Sequence, residues 1–116
     1  MKILIVDDDQ NILRLYKEEL EDDGYVVVTA SNGQEAMERF DKEDPDLVTL
    51  DILLPDVDGI KLLRQMKEKK PRLPIIMSTA YDYRDDFAVW ASEAYIVKSS
   101  DLTELKATIK KLTEKE

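Results

Sequence analysis

Residues 46–59 read DLVTLDILLPDVDG, and the order of properties along them sets the architecture. Asp46 to Leu50 has the apolar, β-branched character of a short buried strand, and it stops at Asp51. The stretch from Leu53 through Leu54, Pro55, Asp56, Val57 and Asp58 to Gly59 is a loop, marked by its proline and glycine. Leu62, Leu63 and Met66 then recur at helical spacing and face a core. The unit is a buried strand, an acidic strand end, a loop and an amphipathic helix.

The same unit repeats on both sides. Toward the amino terminus, Tyr25 to Ala30 is a β-branched strand, followed by the turn Ser31, Asn32, Gly33 and a helix that buries Ala36, Met37 and Phe40. Before it, Ile3 to Val6 is a short buried strand that stops at Asp7. Residues 10–23 then place Ile12, Tyr16 and Leu20 on one helical face, with Asp9 as a cap or loop residue and Gly24 as the stop. Toward the carboxyl terminus, Pro71 and Pro74 separate the central helix from a fourth strand, Ile75 to Met77. Tyr83, Phe87 and Trp90 fall at helical spacing ahead of a fifth strand, Ala94 to Val97. The last helix opens on a capping box of Asp101 and Glu104 and carries the stripe Leu102, Leu105, Ile109, Leu112.

Five strand–helix units in strict alternation imply an α/β fold, a parallel sheet covered by helices on both faces, because parallel neighbours need helical crossovers. In such sheets the ligand site lies at the carboxyl ends of the strands. The polar residues expected there are Asp7 and Asp8 after strand one, Asp51 after strand three, Thr79 after strand four and Lys98 after strand five.

Composition narrows the chemistry. A chain of 116 residues fits one domain, residues 1–116, with 43% hydrophobic and 37% charged residues. The formal charge of -9, from 26 acids against 17 bases, argues against direct binding to nucleic acid, where affinity comes from Lys and Arg displacing counterions. The absence of cysteine and histidine excludes disulfides, thiol catalysis, His general bases and phosphohistidine carriers. The apolar run at the amino terminus ends after Val6, too short for a signal peptide or a membrane span, so the expectation is a cytoplasmic chain with no membrane partner.

Three clustered carboxylates repel one another, at about 4 Å and an effective dielectric near 20 by on the order of 4 kcal/mol per close pair. A compensating Mg²⁺ suits the site, because it takes carboxylates, a backbone carbonyl and retained waters in octahedral geometry. Lys98 supplies a fixed positive charge. A carboxylate can attack phosphorus directly, so Asp51 is the expected nucleophile, with the Thr79 hydroxyl and backbone N–H groups hydrogen-bonding the phosphoryl oxygens.

Asp7 and Asp8, Asp51 with Leu54-Pro55-Asp56 and Gly59, Thr79-Ala80, and Lys98 together resemble the receiver domain of two-component response regulators, across essentially the whole chain. The resemblance implies a flavodoxin-like (βα)5 three-layer sandwich with a five-stranded sheet in the order 2-1-3-4-5. It implies Asp8 as the principal metal carboxylate, Asp7 acting mainly through water, and the Leu53 carbonyl as a further protein ligand beside Asp51. Thr79 becomes the switch hydroxyl and Tyr95, three residues before Lys98, the aromatic rotamer switch. The implied phosphodonor is a histidine kinase or histidine phosphotransferase, and the implied recipient of the signal a downstream protein target or output domain. Such a chain is not a classical enzyme, although it assists its own phosphoryl transfer and dephosphorylation. Two positions depart from the family: Ser99 follows Lys98 where a proline is usual, and the segment between Thr79 and Lys98 is a few residues short. A phosphohydrolase with an aspartyl nucleophile is the rival enzyme, but it needs a second carboxylate two residues on, where this chain has Leu53.

Overall fold

The computed structural model describes residues 1–79, 94–97 and 102–113. The helix read from Tyr83, Phe87 and Trp90, together with Lys98, Ser99 and Asp101, lies outside the described residues, as do the side chains of Thr79 and Tyr95.

In chain order the elements are β1 (Lys2–Val6), α1 (Gln10–Asp22), β2 (Val26–Ala30), α2 (Gly33–Glu43), β3 (Leu47–Leu50), α3 (Gly59–Lys69), β4 (Ile75–Thr79), β5 (Ala94–Val97) and α4 (Thr103–Thr113). The strands are parallel, ordered β2-β1-β3-β4, and β5 is paired beyond β4. Residues Ile3–Val6 and Leu47–Leu50 are buried throughout, as strands covered on both faces must be. β2, at the edge, leaves Val26 exposed.

Alternation along the strands sorts the core into two halves. Leu4, Val6, Val48, Leu50, Ile75 and Met77 pack under α2 and α3 with Ala36, Phe40, Leu62, Leu63 and Met66. Ile3, Ile5, Leu47, Ile76 and Ile96 face α1 and α4 with Leu13, Tyr16, Leu20, Leu105 and Ile109. Fully burying one such side chain contributes roughly 1.5–3 kcal/mol. An exposed pair such as Lys17–Glu21, at 2.9 Å, contributes at most about 1 kcal/mol, so the two half-cores hold the fold together.

Helix α1 begins where Asp9 accepts from the N–H groups of Asn11 (2.9 Å) and Ile12 (3.4 Å), a cap worth about 1 kcal/mol. Its buried face is Leu13, Tyr16 and Leu20, with Ile12 half-buried at the margin. β4 runs two residues past Met77, because its pairing with β5 continues to Thr79 and Val97. Among the described residues, no helix is long and apolar enough to cross a membrane.

Candidate functional site

Register builds the site. β1 and β3 pair Val6 with Leu50, so the next residue on each strand, Asp7 and Asp51, leaves the sheet side by side. The ladder carries on through both: Asp7 N–H donates to Ala30 O at 3.0 Å, and Asp51 N–H to Val6 O at 3.1 Å. The backbone of each aspartate is therefore fixed by the sheet and does not depend on a mobile loop. Asp7 is 2% and Asp51 4% exposed, whereas Asp8 lies open to solvent.

One carboxylate oxygen from each of Asp7, Asp8 and Asp51 lies within 4.8 Å of the others, a group that can hold a metal ion. At that separation, and an effective dielectric near 20, each like-charged pair costs on the order of 3–4 kcal/mol. The sheet holds Asp7 and Asp51 side by side, and a cation among these oxygens would offset their repulsion. Local hydrogen bonds orient the two buried carboxylates. Asp9 N–H donates to Asp7 Oδ1 at 2.9 Å, and Leu53 N–H to Asp51 Oδ1 at 3.3 Å.

The loop after Asp51 returns immediately. Gly59 N–H donates to Ile52 O at 2.8 Å, and Leu53 and Asp58 form an isolated antiparallel bridge. A Cβ on Gly59 would stand 2.6 Å from Ile52 Cα and 2.9 Å from Asp51 C, and nearer still to Asp51 O. Only glycine permits this approach of α3 to the end of β3.

Of the residues expected from sequence, Asp7, Asp8 and Asp51 are brought together, and Leu53 follows in the adjoining loop with its side chain about half exposed. Thr79 closes β4 opposite Val97, and Tyr95 lies opposite Met77. Lys98, directly after Val97 in sequence, lies outside the described residues.

From sequence, Asp56 enters only as a loop residue and as part of the Leu54-Pro55-Asp56 motif, with no structural partner assigned. In the structure its carboxylate accepts from Gly33 N–H at 2.7 Å and Gln34 N–H at 3.0 Å, at the start of α2. Those two bonds, Gly33 first, stabilise the charged form and hold the Asp56 carboxyl below its ordinary value. A carboxyl depressed in the folded state contributes stability that is complete above the ordinary aspartate range and is lost as pH falls through the depressed value. The stability difference between the wild-type chain and Asp56→Asn, measured by urea unfolding, is therefore expected to be widest near neutral pH and to close on acidification. A gap that widens toward acid contradicts this assignment.

The comparisons with known proteins agree with this geometry. Residues 3–110 match the family described as the response regulator receiver domain. The chain is 39% identical over 112 residues to the alkaline phosphatase synthesis transcriptional regulatory protein PhoP of Bacillus subtilis, covering 94% of this chain and 47% of that protein. It thus spans about half the length of the first curated relatives it matches. Among solved structures, the response regulator TrrA of Thermotoga maritima, in complex with Mg²⁺-BeF, superposes with a TM-score of 0.92 at 46% identity, covering 96% of this chain and 97% of TrrA. A second structure holds TrrA in complex with the histidine kinase ThkA; it matches with a TM-score of 0.91 at 45% identity, covering 97% of this chain and 98% of that one. The parallel sheet with its acidic strand ends is thus the flavodoxin-like fold of those proteins, and this chain belongs to the receiver-domain family of two-component response regulators.

Proposed function

We propose that Asp51 accepts a phosphoryl group from a phosphohistidine donor in a Mg²⁺-dependent reaction, and that the change is passed to a partner as a conformational signal. The observation that carries this reading is the convergence of Asp7, Asp8 and Asp51, two of them buried, at the carboxyl edge of the sheet. The donor set is all hard oxygen, which fits Mg²⁺ and not a soft metal. Asp8, Asp51 and the Leu53 carbonyl would hold the ion, with Asp7 acting mainly through water. When bound, Mg²⁺ supplies the positive charge that offsets carboxylate repulsion and neutralises phosphoryl oxygens.

The chain's own groups do the rest. An Asp51 carboxylate oxygen forms the bond to phosphorus while the donor's N–P bond breaks, its electron pair leaving with the imidazole nitrogen. Leu53 N–H holds Asp51 Oδ1 and so orients the attacking carboxylate. The Thr79 hydroxyl hydrogen-bonds a phosphoryl oxygen and the Lys98 ammonium neutralises another. Support for these two comes from β4 ending at Thr79 beside Val97, the residue before Lys98. Movement of Thr79 toward the phosphoryl group makes room for Tyr95, which biases the β4–β5 side of the domain between two states.

The same reading covers the architecture and setting. The whole chain, 1–116, is one receiver domain, a (βα)5 three-layer sandwich with a five-stranded sheet in the order 2-1-3-4-5, supported by the pairing of β5 beyond β4. The phosphoryl donor is a histidine kinase or histidine phosphotransferase, supported by the ThkA complex of the relative TrrA. The recipient of the signal is a downstream protein or output domain, supported by the transcriptional regulators among the relatives. The chain works in the cytoplasm without direct contact with nucleic acid or membrane, in keeping with its charge of -9. Leu53 stands where an aspartyl phosphohydrolase carries its acid–base carboxylate, which weighs against that enzyme. Like the family it belongs to, the chain assists its own phosphoryl transfer and dephosphorylation and is not a classical enzyme.

Incubation with acetyl phosphate, followed by intact-mass measurement, tests the reading. A single phosphoryl adduct is expected with Mg²⁺ and none with excess EDTA; no adduct, or one indifferent to Mg²⁺, rejects it.

A further inference from the structure

The start of α2 is satisfied from two directions. Asn32 Oδ1 accepts from Glu35 N–H at 2.8 Å, and Ala36 N–H makes the first intrahelical bond, to Asn32 O at 2.9 Å. The N–H groups of Gly33 and Gln34 belong to the set that no α-helix can satisfy within itself. Both donate to one carboxylate reaching in from the β3–α3 loop, Gly33 to Asp56 Oδ1 at 2.7 Å and Gln34 to Asp56 Oδ2 at 3.0 Å. A solvent water would satisfy either donor. A carboxylate adds the negative charge a helix start favours and a two-point attachment of fixed orientation.

That attachment secures a loop as well as a helix end. Residues 52–59 are closed at their base by the Gly59–Ile52 hydrogen bond and the Leu53–Asp58 bridge. At their tip, Val57 covers Gly33 so closely that a Cβ on Gly33 would collide with Val57 Cγ1 and stand 3.2 Å from Asp56 Oδ1. Leu53 is itself a member of the basal bridge, and Asp56 and Val57 anchor the far end of the same loop against α2. A backbone ligand cannot be re-aimed by a rotamer change, so its position depends on how firmly its loop is held.

We infer that Asp56 is a positioning residue for the metal site: by fastening the β3–α3 loop to the first turn of α2, it keeps the Leu53 backbone where its carbonyl can serve Mg²⁺. This rests on the phosphoacceptor reading above. The competing account is that Asp56 merely caps α2, in which case its loss lowers stability and leaves the metal alone.

Calorimetric titration of the whole chain with Mg²⁺, alongside thermal melting in EDTA, separates the two. Asp56→Ala is expected to weaken Mg²⁺ binding about tenfold, the lower end of what loss of a ligand-supporting partner costs. Asp56→Asn keeps one acceptor oxygen and is expected to fall in between; it also carries the comparison if Asp56→Ala does not fold. Asn32→Ala, which removes a cap from the same helix start without releasing the loop, is expected to melt earlier yet bind Mg²⁺ like the wild type. Unchanged affinity in Asp56→Ala (or in Asp56→Asn where that variant stands in), or equal weakening in Asn32→Ala, overturns the inference while leaving Asp51 as acceptor. A wild-type chain that binds no Mg²⁺ overturns both.

Discussion

Replacing Gly59 with alanine is expected to destabilise the fold by about 3 kcal/mol and to lower its melting temperature by roughly 10–20 °C. The estimate sits at the upper end of ordinary overpacking because the obstructing atoms are Asp51 O, Asp51 C and Ile52 Cα, all backbone. No rotamer change relieves such a clash. Either α3 retreats, breaking the Gly59–Ile52 hydrogen bond, or the end of β3 moves and takes Asp51 with it. The second route also displaces the carboxylate from Asp7 and Asp8, so the surviving folded protein is expected to take up phosphoryl groups more slowly. Calorimetric melting checks the first effect; a fall of less than about 3 °C would show that the junction is looser than its contacts indicate.

Asp8→Asn is expected to act in opposite directions on metal binding and on stability. Asp8 is the exposed member of the acidic trio, so the substitution leaves the core intact, unlike a change at Asp7. Removing its charge deletes repulsion with two neighbours, each worth on the order of 3–4 kcal/mol at an effective dielectric near 20 and less once water screens an exposed group. In EDTA the variant is therefore expected to melt higher than the wild type. On the proposed reading it also loses a charged ligand, and since about 1.4 kcal/mol is a factor of ten, Mg²⁺ affinity is expected to fall at least tenfold. Melting curves with and without Mg²⁺ read both signs together. A variant less stable in EDTA, with unaltered Mg²⁺ binding, contradicts the electrostatic picture.

Much of this was legible because the strands are covered on both faces, so burial writes itself as continuous apolar runs such as Ile3–Val6 and Leu47–Leu50. The acidic residues that end those runs become neighbours through parallel pairing alone, which is why Asp7 and Asp51 were identifiable as partners across a long sequence separation. Element limits were less legible because they are set by hydrogen bonds to other segments. Ser78 and Thr79 look like the end of a strand by polarity, yet β5 extends the ladder through them. Tyr25 reads as strand, but its N–H donates to Leu20 O at the end of α1, and β2 starts one residue later. On α1, Ile12 and Leu13 are both apolar, and the packing of α1 and α4 against the sheet selects Leu13 for the buried face. The role of Asp56 was not legible at all: its partners Gly33 and Gln34 are remote in sequence and contribute only backbone N–H groups.

The identity of the acceptor is best tested by treating wild-type and Asp51→Asn chains side by side with acetyl phosphate and Mg²⁺ and weighing both intact. One added phosphoryl group on the wild type and none on the variant is the expected result. The same gain in mass on Asp51→Asn would place the acceptor on another residue and contradict the central claim.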